Sequence, residues 1–354
     1  MPSLLPRQLG FRMPAEWEPH EATWIAWPHR RDDWPGKFAP IPWAYAEIVR
    51  HLSRSERVRI LVNDDGAERR ARRVLGRAGA DLGRIDFFPF PTDRSWTRDS
   101  AAIFVKDAAG RVGVTDWRFN AWAKYDDYQL DDALPGRIAE RLGLPCWQPE
   151  CRGRRVVLEG GSIDVNGAGL LLTTEECLLS PVQARNPGLT REDLEQVFAD
   201  YIGVSKVLWL GRGIAGDDTH GHVDDLARFI GPRHVVLVAE EDPGDVNYEP
   251  LRENRERLRG MTDLDGRPLE VTTLPMPGPV VFDGQRLPAS YANFYIANGK
   301  VLVPTFNDAK DRLALNILAE LFPDHAVVGI HAVDLVWGLG TLHCLTQQEP
   351  AGSQ

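Results

Sequence analysis

Five side chains in four short segments have the chemical properties of an active site, and the segments recur at a regular interval. They comprise two acids, a histidine with a third acid, and a thiol: Asp99 in WTRDS, Glu159 in LEGGS, His222 and Asp224 in THGHVDD, and Cys344 in HCLTQQ. The first three segments are separated by 60 and 63 residues, and the last interval, 122 residues, is twice 61. If structural units of this length repeat around an axis, these groups meet in one central pocket.

The residue types in this set suit attack on the carbon of a guanidinium group. A thiolate is a nucleophile whose abundance depends on the pKa of the thiol. A neighbouring imidazole transfers protons in both directions near neutral pH. Carboxylates pair bidentately with the N–H groups of a planar guanidinium, which surround an electrophilic carbon. The set therefore predicts displacement of ammonia or an amine from a bound guanidine.

The interval from His222 to Cys344 is twice the others, so we expect one further structural unit between them to contribute to this pocket. The segment in the expected place lies near residues 283–294, within FDGQRLPASYANF. Asn293 is the candidate there, as a substrate-binding residue.

Each member of the set also has a simpler interpretation. A single cysteine is usually buried filler, and Asp99 beside Arg98 fits an ordinary surface ion pair. Trp96, one of 11 tryptophans, is by its type a core residue. Gly160 and Gly161 fit a tight turn.

The segment HGHVDD also fits a metal site. Its suitable ligands are His220, His222, Asp224 and Asp225. A zinc site needs its ligands completed by other residues, and the sequence offers no second cluster of histidine or cysteine. A metallohydrolase is therefore an alternative, and we expect no metal.

Composition limits the classes of partner. The 354-residue chain has a net charge of −10, which disfavours nonspecific nucleic-acid binding and suits a cationic ligand. It has no apolar segment of the length of a signal peptide or a membrane helix, so we expect no membrane association. Four cysteines form no disulfide framework, which favours a cytoplasmic protein with reduced thiols.

The elements that must position these groups alternate along the chain. Apolar spacing predicts helices at 42–54, 66–78, 130–142, 249–260 and 308–321, and another that begins at Thr190. Strand-like segments lie between them, among them RVRILVN, AAIFV, RRVVLE, LLLTT, KVLWLG, HVVLVA, LEVTTL and AVVGI. The segment YANFYIANGKVLVPTF predicts a hairpin with positive φ angles at Asn298 and Gly299. Helix starts 59 to 64 residues apart favour repeated strand–strand–helix–strand units, although an irregular α/β protein fits the spacing equally well.

Several motifs together resemble the agmatine deiminases, in the peptidylarginine-deiminase-like branch of the guanidino-group-modifying superfamily. They are FRMPAEWEPHEATWIAWP, WTRDSAAIF, WRFNAWAKYDDY, LEGGSIDVNGAGLLLTTEECLL, RNPGL, GDDTHGHVDDLARF and GTLHCLTQQEP. The resemblance implies a five-bladed, pseudo-symmetric α/β propeller, the pentein fold, built from ββαβ units of about 60 residues. It also implies one catalytic domain over residues 1–354, with no cofactor, and dimers are common in the family.

The resemblance implies a role for each catalytic candidate. Cys344 would attack the guanidinium carbon to give a covalent thiouronium intermediate. His222 would protonate the departing ammonia and then activate water, and Glu159 would orient His222. Asp99 and Asp224 would hold the guanidinium nitrogens. The implied reaction converts agmatine and water into N-carbamoylputrescine and ammonia.

The surroundings of the substrate are less clear from the resemblance. Trp96 is expected to line the channel, and Asp217 or Asp218 to receive the ammonium tail of agmatine. Leu339 and Thr341 stand where the family commonly has Gly and Asn, and His220 also departs from the pattern. The alternatives are therefore a deiminase of free or peptidyl arginine, an amidinotransferase, or a non-catalytic polyamine-binding protein.

Overall fold

A computed structural model describes residues 4–353 of the chain as a mixed α/β fold. The strands are, in chain order, β1 (His20–Ala26), β2 (Arg57–Leu61), β3 (Ile85–Phe88), β4 (Ile103–Lys106), β5 (Val112–Thr115), β6 (Cys146–Trp147), β7 (Glu150–Cys151), β8 (Arg154–Arg155), β9 (Asp164–Val165), β10 (Leu170–Thr174), β11 (Lys206–Leu210), β12 (Ala227–Phe229), β13 (His234–Ala239), β14 (Glu270–Pro275), β15 (Val281–Phe282), β16 (Gln285–Arg286), β17 (Tyr295–Ala297), β18 (Lys300–Thr305), β19 (Ala326–His331) and β20 (Gln347–Pro350). The α-helices are α1 (Ile41–Leu52), α2 (Asp65–Ala78), α3 (Thr97–Ser100), α4 (Gln129–Asp132), α5 (Leu134–Leu142), α6 (Glu175–Leu179), α7 (Arg191–Ile202), α8 (Tyr248–Arg259) and α9 (Lys310–Leu321).

Four three-stranded sheets share one pattern of connections. In β4-β5-β6, β9-β10-β11, β12-β13-β14 and β17-β18-β19, the middle strand pairs antiparallel with the strand before it and parallel with the strand after it. A helix lies in sequence between the two parallel strands, as a parallel crossover requires. The predicted strand–strand–helix–strand order is therefore confirmed in these four sheets.

The remaining large sheet joins an early and a late segment of the chain. Its order is β20-β1-β2-β3, with β20 antiparallel to β1 and the other pairs parallel. Gln347 and Gln348, which follow Cys344, thus belong to a strand of the same sheet as β1. Two short hairpins, β7-β8 and β15-β16, lie apart from these sheets.

Local capping explains where α2 and α7 begin. The side chain of Asp64 accepts a hydrogen bond of 2.7 Å from the N–H of Ala67 at the start of α2. At the predicted start of α7, Thr190 and Asp193 form a reciprocal cap, since each side chain accepts the backbone N–H of the other. The buried apolar side chains of α7 include Leu194, Val197, Phe198 and Tyr201.

The structure corrects three details of the sequence-based prediction. Leu313 belongs to the apolar spacing that predicts the helix at 308–321, but it is 50% exposed, since Ala314 and Leu318 face the core instead. Of the Asn298-Gly299 pair, only Gly299 has a positive φ. The side chain of Asn298 instead accepts from and donates to the backbone of His20. The segment RRVVLE, residues 154–159, forms a strand only over its first two residues, β8. Its remaining residues leave the hairpin and end at Glu159.

Buried apolar side chains of the helices and strands pack into three hydrophobic clusters. The largest of them includes the aromatic side chains of Trp34 and Trp96 and also Cys344. Among residues 4–353, no helix has both the length and the apolar character needed to span a bilayer.

Candidate active site

Short turns next to the sheets carry the side chains that the sequence singles out. Asp99 lies in the single turn of α3, and Glu159 immediately precedes a 3₁₀ turn at Gly160–Ser162. His222 caps a second 3₁₀ turn, Val223–Asp225, that contains Asp224. Cys344 lies three residues before β20. The sheets therefore fix the places at which these turns can meet.

Three of the candidate side chains converge on Gly161. A methyl group at this position would come within 2.6 Å of His222 Nδ1, 2.8 Å of Asp99 Oδ1 and 3.0 Å of Asp224 Oδ2. The N–H of Gly161 donates to Asp99 Oδ1 at 2.9 Å. The second glycine of LEGGS is therefore needed because His222, Asp99 and Asp224 come so close to its backbone. A tight turn alone would not require a glycine here.

His222 is buried among three carboxylates. Its Nδ1 lies 3.8 Å from Asp99 Oδ1 and 4.0 Å from Asp224 Oδ1, and its Nε2 lies 3.8 Å from Glu159 Oε2. Burial alone would lower the pKa of His222, but the negative charge of Asp99, together with Cys177 and Glu159, outweighs it and raises that pKa well above the ordinary value. The imidazole is therefore held in its protonated form.

A buried arginine keeps Glu159 ionised. Arg185 Nε donates to Glu159 Oε1 at 3.0 Å, and both side chains are inaccessible to solvent. Burial would raise the pKa of Glu159, but the charge of Arg185 and the contacts with His222 lower it to about 2. Glu159 thus presents a full negative charge to the histidine.

The thiol of Cys344 lies against polar groups on the same side of the site. Its Sγ lies 3.8 Å from Asp224 Oδ2 and accepts from Asn293 Nδ2 at 3.2 Å. Burial and the negative charges of Asp224, Asp225 and Asp99 raise the pKa of the Cys344 thiol well above its ordinary value. In the absence of a bound cationic ligand, these effects favour the neutral thiol.

Asn293, predicted as a substrate-binding residue, contacts the nucleophile segment. Its Oδ1 accepts from Thr341 Oγ1 at 2.7 Å and from the N–H of His343 at 3.0 Å. Thr341, a departure from the family pattern, therefore anchors the same asparagine. Asn293 is 1% exposed and does not line the cavity above Cys344, so its contacts favour positioning of the thiol.

A cavity of about 270 Å³ leads to Cys344. Trp96 and Trp122 form part of its walls, and Trp96 packs against Trp34 with ring centroids 5.3 Å apart. The indole N–H of Trp122 donates to Asp99 Oδ2 at 2.8 Å, which fixes that carboxylate at the inner end of the cavity. Trp96 thus lines this cavity, and its role beside a substrate stays a prediction.

The two acids predicted for the substrate tail lie in different environments. Asp218 lines the cavity, where its carboxylate is paired with Lys124 and accepts from Tyr125 Oη at 2.8 Å. Asp217 does not line the cavity, and its carboxylate accepts the backbone N–H groups of Thr219, Gly221 and His222. Asp217 therefore orders the loop before His222 and does not face the cavity in which the tail would lie.

Sequence reasoning missed several residues of the site. His343 bridges Asp224 and Glu16, with nitrogen–oxygen distances of 2.7 and 2.8 Å. The histidine of the His-Cys pair in HCLTQQ is His343, so this pair was the signal that could have identified it. Arg185 and Trp122 were also missed. The proposed ion pair of Asp99 with Arg98 is wrong, because the Arg98 side chain is buried and donates to Gln348, to Glu16 and to the carbonyl oxygen of His343.

The donor set for a metal differs from the one predicted in HGHVDD. His220 Nε2 lies 3.2 Å from Ser180 Oγ, away from the other suggested ligands. Within the described part of the chain, ligand atoms of Glu159, Cys177 and His222 lie within 4.8 Å of one another. A histidine can bind a metal only through a neutral imidazole, whereas His222 is held in its protonated form. Glu159 is already paired with an arginine. This donor set does not fit a metal well.

Comparisons with known proteins agree with this geometry. The family description of the Porphyromonas-type peptidyl-arginine deiminases matches residues 12–350. An agmatine deiminase of Stutzerimonas stutzeri is 38% identical, with 98% of this chain and 97% of that protein covered. The structure of the agmatine deiminase of Enterococcus faecalis is similar with a TM-score of 0.91 and 36% identity over 99% of both chains. A substrate-bound variant of the agmatine deiminase of C. jejuni has a TM-score of 0.86 and 29% identity over 97% of both chains. The chain therefore belongs to the Porphyromonas-type peptidyl-arginine deiminase family, together with the agmatine deiminases that its motifs resemble.

Proposed function

We propose that the protein hydrolyses agmatine to N-carbamoylputrescine and ammonia. The observation that carries this proposal is the acidic cavity that ends at Cys344. Its lining has five carboxylates and two guanidinium groups: Asp32, Asp33, Asp99, Asp127 and Asp218 against Arg30 and Arg94. Such an excess of negative charge favours a doubly cationic substrate. The relatives named as agmatine deiminases support the same substrate.

Binding of the guanidinium activates the nucleophile. The cation pairs with Asp99 and Asp224, and its positive charge offsets the acids that raise the pKa of Cys344. The thiol then loses its proton to solvent, and the thiolate attacks the guanidinium carbon. A tetrahedral adduct forms in which sulfur and three nitrogens surround that carbon.

His222 carries the protons in both halves of the reaction. As the protonated imidazole it donates to the departing nitrogen, and loss of ammonia leaves a thiouronium bound to Cys344. The neutral imidazole then removes a proton from a water molecule, which attacks the same carbon. Cleavage of the carbon–sulfur bond releases the ureido product and restores the thiolate. Glu159 stabilises the charged imidazole throughout.

A buried carboxylate in the lining of the cavity is suited to receive the ammonium tail. Asp33 Oδ1 accepts from Arg94 Nη1 at 2.6 Å, but its Oδ2 is buried without a hydrogen-bond partner among residues 4–353. Arg30 Nε also lies 3.6 Å from Asp33 Oδ1. Both oxygens of Asp218, in contrast, are occupied, one by Lys124 and the other by Tyr125. We therefore assign Asp33 as the main tail receptor, with Asp218 beside it. Arg30 and Arg94 both pair with Asp127, which leaves them less able to receive the carboxylate of free arginine.

A panel of guanidines tests the proposal. The purified protein is incubated with agmatine, arginine and a peptidyl-arginine, and ammonia and the ureido product are measured. Agmatine should be the preferred substrate, and Cys344→Ser should reduce its turnover by orders of magnitude. Failure to hydrolyse any guanidine would exclude the proposal. Preference for a peptidyl-arginine would favour the second candidate, which the family description suggests. A new guanidino product formed on addition of an amine would indicate an amidinotransferase.

We also infer that the repeated sheets are five blades of one α/β propeller, so that residues 1–354 form a single catalytic domain. The shared strand order of the sheets and their similarity to the agmatine deiminase structure support this inference. A cytoplasmic location and a homodimer are part of the same proposal. Light scattering of the purified protein would test the dimer, and a monomer mass would exclude it.

A further inference from the structure

A second cavity, about 710 Å³ in volume, lies outside the proposed active site, and five of its thirteen lining residues are arginines. These are Arg118, Arg152, Arg154, Arg155 and the buried Arg185, and the described lining residues include no carboxylate. We call this cavity the arginine pocket. The concentration of positive charge runs against the net charge of the whole chain, which is −10.

A tight hairpin places most of these arginines side by side. Strands β7 and β8 are joined through Arg152 and Gly153, which have φ angles of +53° and +74°. This turn places Arg152, Arg154 and Arg155 within four residues of one another. Arg118 lies next to them, because its N–H donates to the carbonyl oxygen of Val156 at 3.0 Å. Like charges so close together repel, which costs free energy unless anions offset it.

Three of the five arginines, Arg152, Arg155 and Arg185, form ion pairs within the chain, and the other two do not. Ion pairs of 2.6 and 2.7 Å hold Arg152 to Asp193 and Arg155 to Asp116. Even so, Arg155 Nε is buried without a hydrogen-bond partner among the described residues. The side chains of Arg118 and Arg154 form no ion pair or hydrogen bond with any residue between positions 4 and 353. Their N–H groups are free to bind a ligand.

We propose that the arginine pocket binds a small organic molecule that carries phosphate groups. Planar guanidinium groups pair with phosphate oxygens in bidentate geometry, and several of them suit a ligand with more than one phosphate. Val157, Leu189 and Tyr128 supply apolar and aromatic surface beside the arginines. The volume is in the range of pockets that take organic ligands of drug size.

Arg185 links this pocket to the proposed active site. It borders the arginine pocket, although its side chain is inaccessible to solvent; its Nε holds Glu159 at 3.0 Å, and its Nη2 donates to the carbonyl oxygen of Thr219. Thr219 lines the cavity above Cys344. A polyanion beside Arg185 would weaken the positive field around Glu159 and disfavour a thiolate at Cys344. Occupancy of the pocket should therefore slow reactions of that thiol.

Calorimetric titration tests the binding. The probes are sodium pyrophosphate, a nucleoside triphosphate and, as a carboxylate of similar charge, citrate, all at one ionic strength. The test variant is R118A/R154A, and the matched control is R70A/R73A, which removes two exposed arginines from α2. The two phosphate compounds should bind the wild type and the control equally, and the test variant about tenfold or more weakly. Circular dichroism confirms that each variant is folded.

Three results would overturn the proposal: no binding to the wild type, equal binding to wild type and R118A/R154A, or tighter binding of citrate than of pyrophosphate. The link through Arg185 has its own test, the rate at which iodoacetamide alkylates Cys344, followed by peptide mass spectrometry. Pyrophosphate should slow it in the wild type and not in R118A/R154A. An unchanged wild-type rate would contradict the link. Neither readout uses a substrate, so both are independent of the proposed function.

Discussion

Nδ1 of His343 lies 2.7 Å from Oδ2 of Asp224, and the same oxygen lies 3.8 Å from Cys344 Sγ. The residue before the nucleophile thus holds the carboxylate that faces the nucleophile. Burial would raise the pKa of Asp224, but the contact with His343 and the charges of His343 and His222 lower it. His343 therefore keeps Asp224 ionised for the substrate.

His343→Ala should lower kcat/KM for agmatine by about 10- to 100-fold at neutral pH, in the manner of residues that support a catalytic ligand. The depressed pKa of Asp224 keeps the carboxylate charged until the pH falls through that pKa. Loss of His343 raises this pKa, so the acid limb of the pH–rate profile should move to higher pH. His331→Ala, at an exposed position, is the control and should match the wild type. An unshifted acid limb would mean that His343 has only a structural role.

The raised pKa of Cys344 predicts slow alkylation of the free protein. Iodoacetamide should modify Cys344 slowly at pH 7, because little thiolate is present, and the rate should rise as the pH increases beyond about 8.5, the ordinary thiol value. Agmatine-like cations that cannot be hydrolysed, and that occupy the site without covering Sγ, should increase the rate at pH 7. The control is the exposed Cys146, whose rate such cations should not change. Fast alkylation of Cys344 at pH 7 without a cation would contradict the proposed activation by substrate.

Gly161→Ala should abolish most activity. The added methyl group must displace His222, Asp99 or Asp224, all of which lie within 3.0 Å of it. Displacements of this size in an active site lower rates by about a hundredfold. Gly76→Ala, inside α2 and with no atom nearer than 3.8 Å, is the control and should stabilise the protein by about 0.5–1 kcal/mol. Nearly wild-type kcat in folded Gly161→Ala would show that the convergence around this glycine is not required.

The buried pair of Arg185 and Glu159 predicts a pH-dependent stability. The pKa of Glu159 falls from 4.5 to about 2 on folding, so its ionised form stabilises the fold above about pH 4.5. This contribution should disappear as the pH falls from about 4.5 to about 2. Arg185→Met leaves a buried charge unpaired and should lower the free energy of unfolding in urea by about 3–5 kcal/mol at pH 7.

The matched control for this pair is Arg57→Met, which breaks an exposed ion pair with Asp86 and should cost less than about 1 kcal/mol. Glu159→Gln should remove the part of the acid dependence that Glu159 supplies. If Arg185→Met and Arg57→Met destabilise the protein equally, the buried pair contributes no more than a surface one.

Asp33→Asn should impair recognition of the ammonium tail. The carboxylate has a pKa raised to about 6 by burial, against the opposing charge of Arg94, so it is mostly ionised at pH 7. We expect kcat/KM for agmatine to fall about tenfold, the cost of one hydrogen bond to a charged group. Hydrolysis of butylguanidine, which lacks the ammonium, should be nearly unchanged. Asp86→Asn, which removes a solvent-accessible carboxylate outside the cavity, is the control. A loss of equal size with both substrates would place Asp33 outside the tail site.

Much of the fold could be predicted because the patterns involved are local. The apolar stripe of α7, with Thr190 and Asp193 at its start, fixes that helix through contacts within four residues. The intervals of 60 and 63 residues between Asp99, Glu159 and His222 match the repeat of the sheets. The spacing of the predicted helices shows the same repeat in the sequence.

Other parts of the site depend on contacts that no local pattern encodes. His343 meets Asp224 across 119 residues and Glu16 across 327, and nothing near either acid indicates a histidine partner. Arg185 follows no recognisable motif for a partner of Glu159. The charge of Asp217 suggests a receptor for the ammonium tail, but its oxygens accept hydrogen bonds from the backbone N–H groups of its own loop.

The antiparallel pairing of β20 with β1 has a consequence for how the protein becomes reactive. The thiol is synthesised after every strand from β1 to β19, and the strand that follows it docks on the first of these. A growing chain can therefore assemble most of its sheets while its sulfur is still missing or unplaced. The nucleophile should reach its place in the site only after the strands that carry the other site residues have formed and β20 has paired with β1.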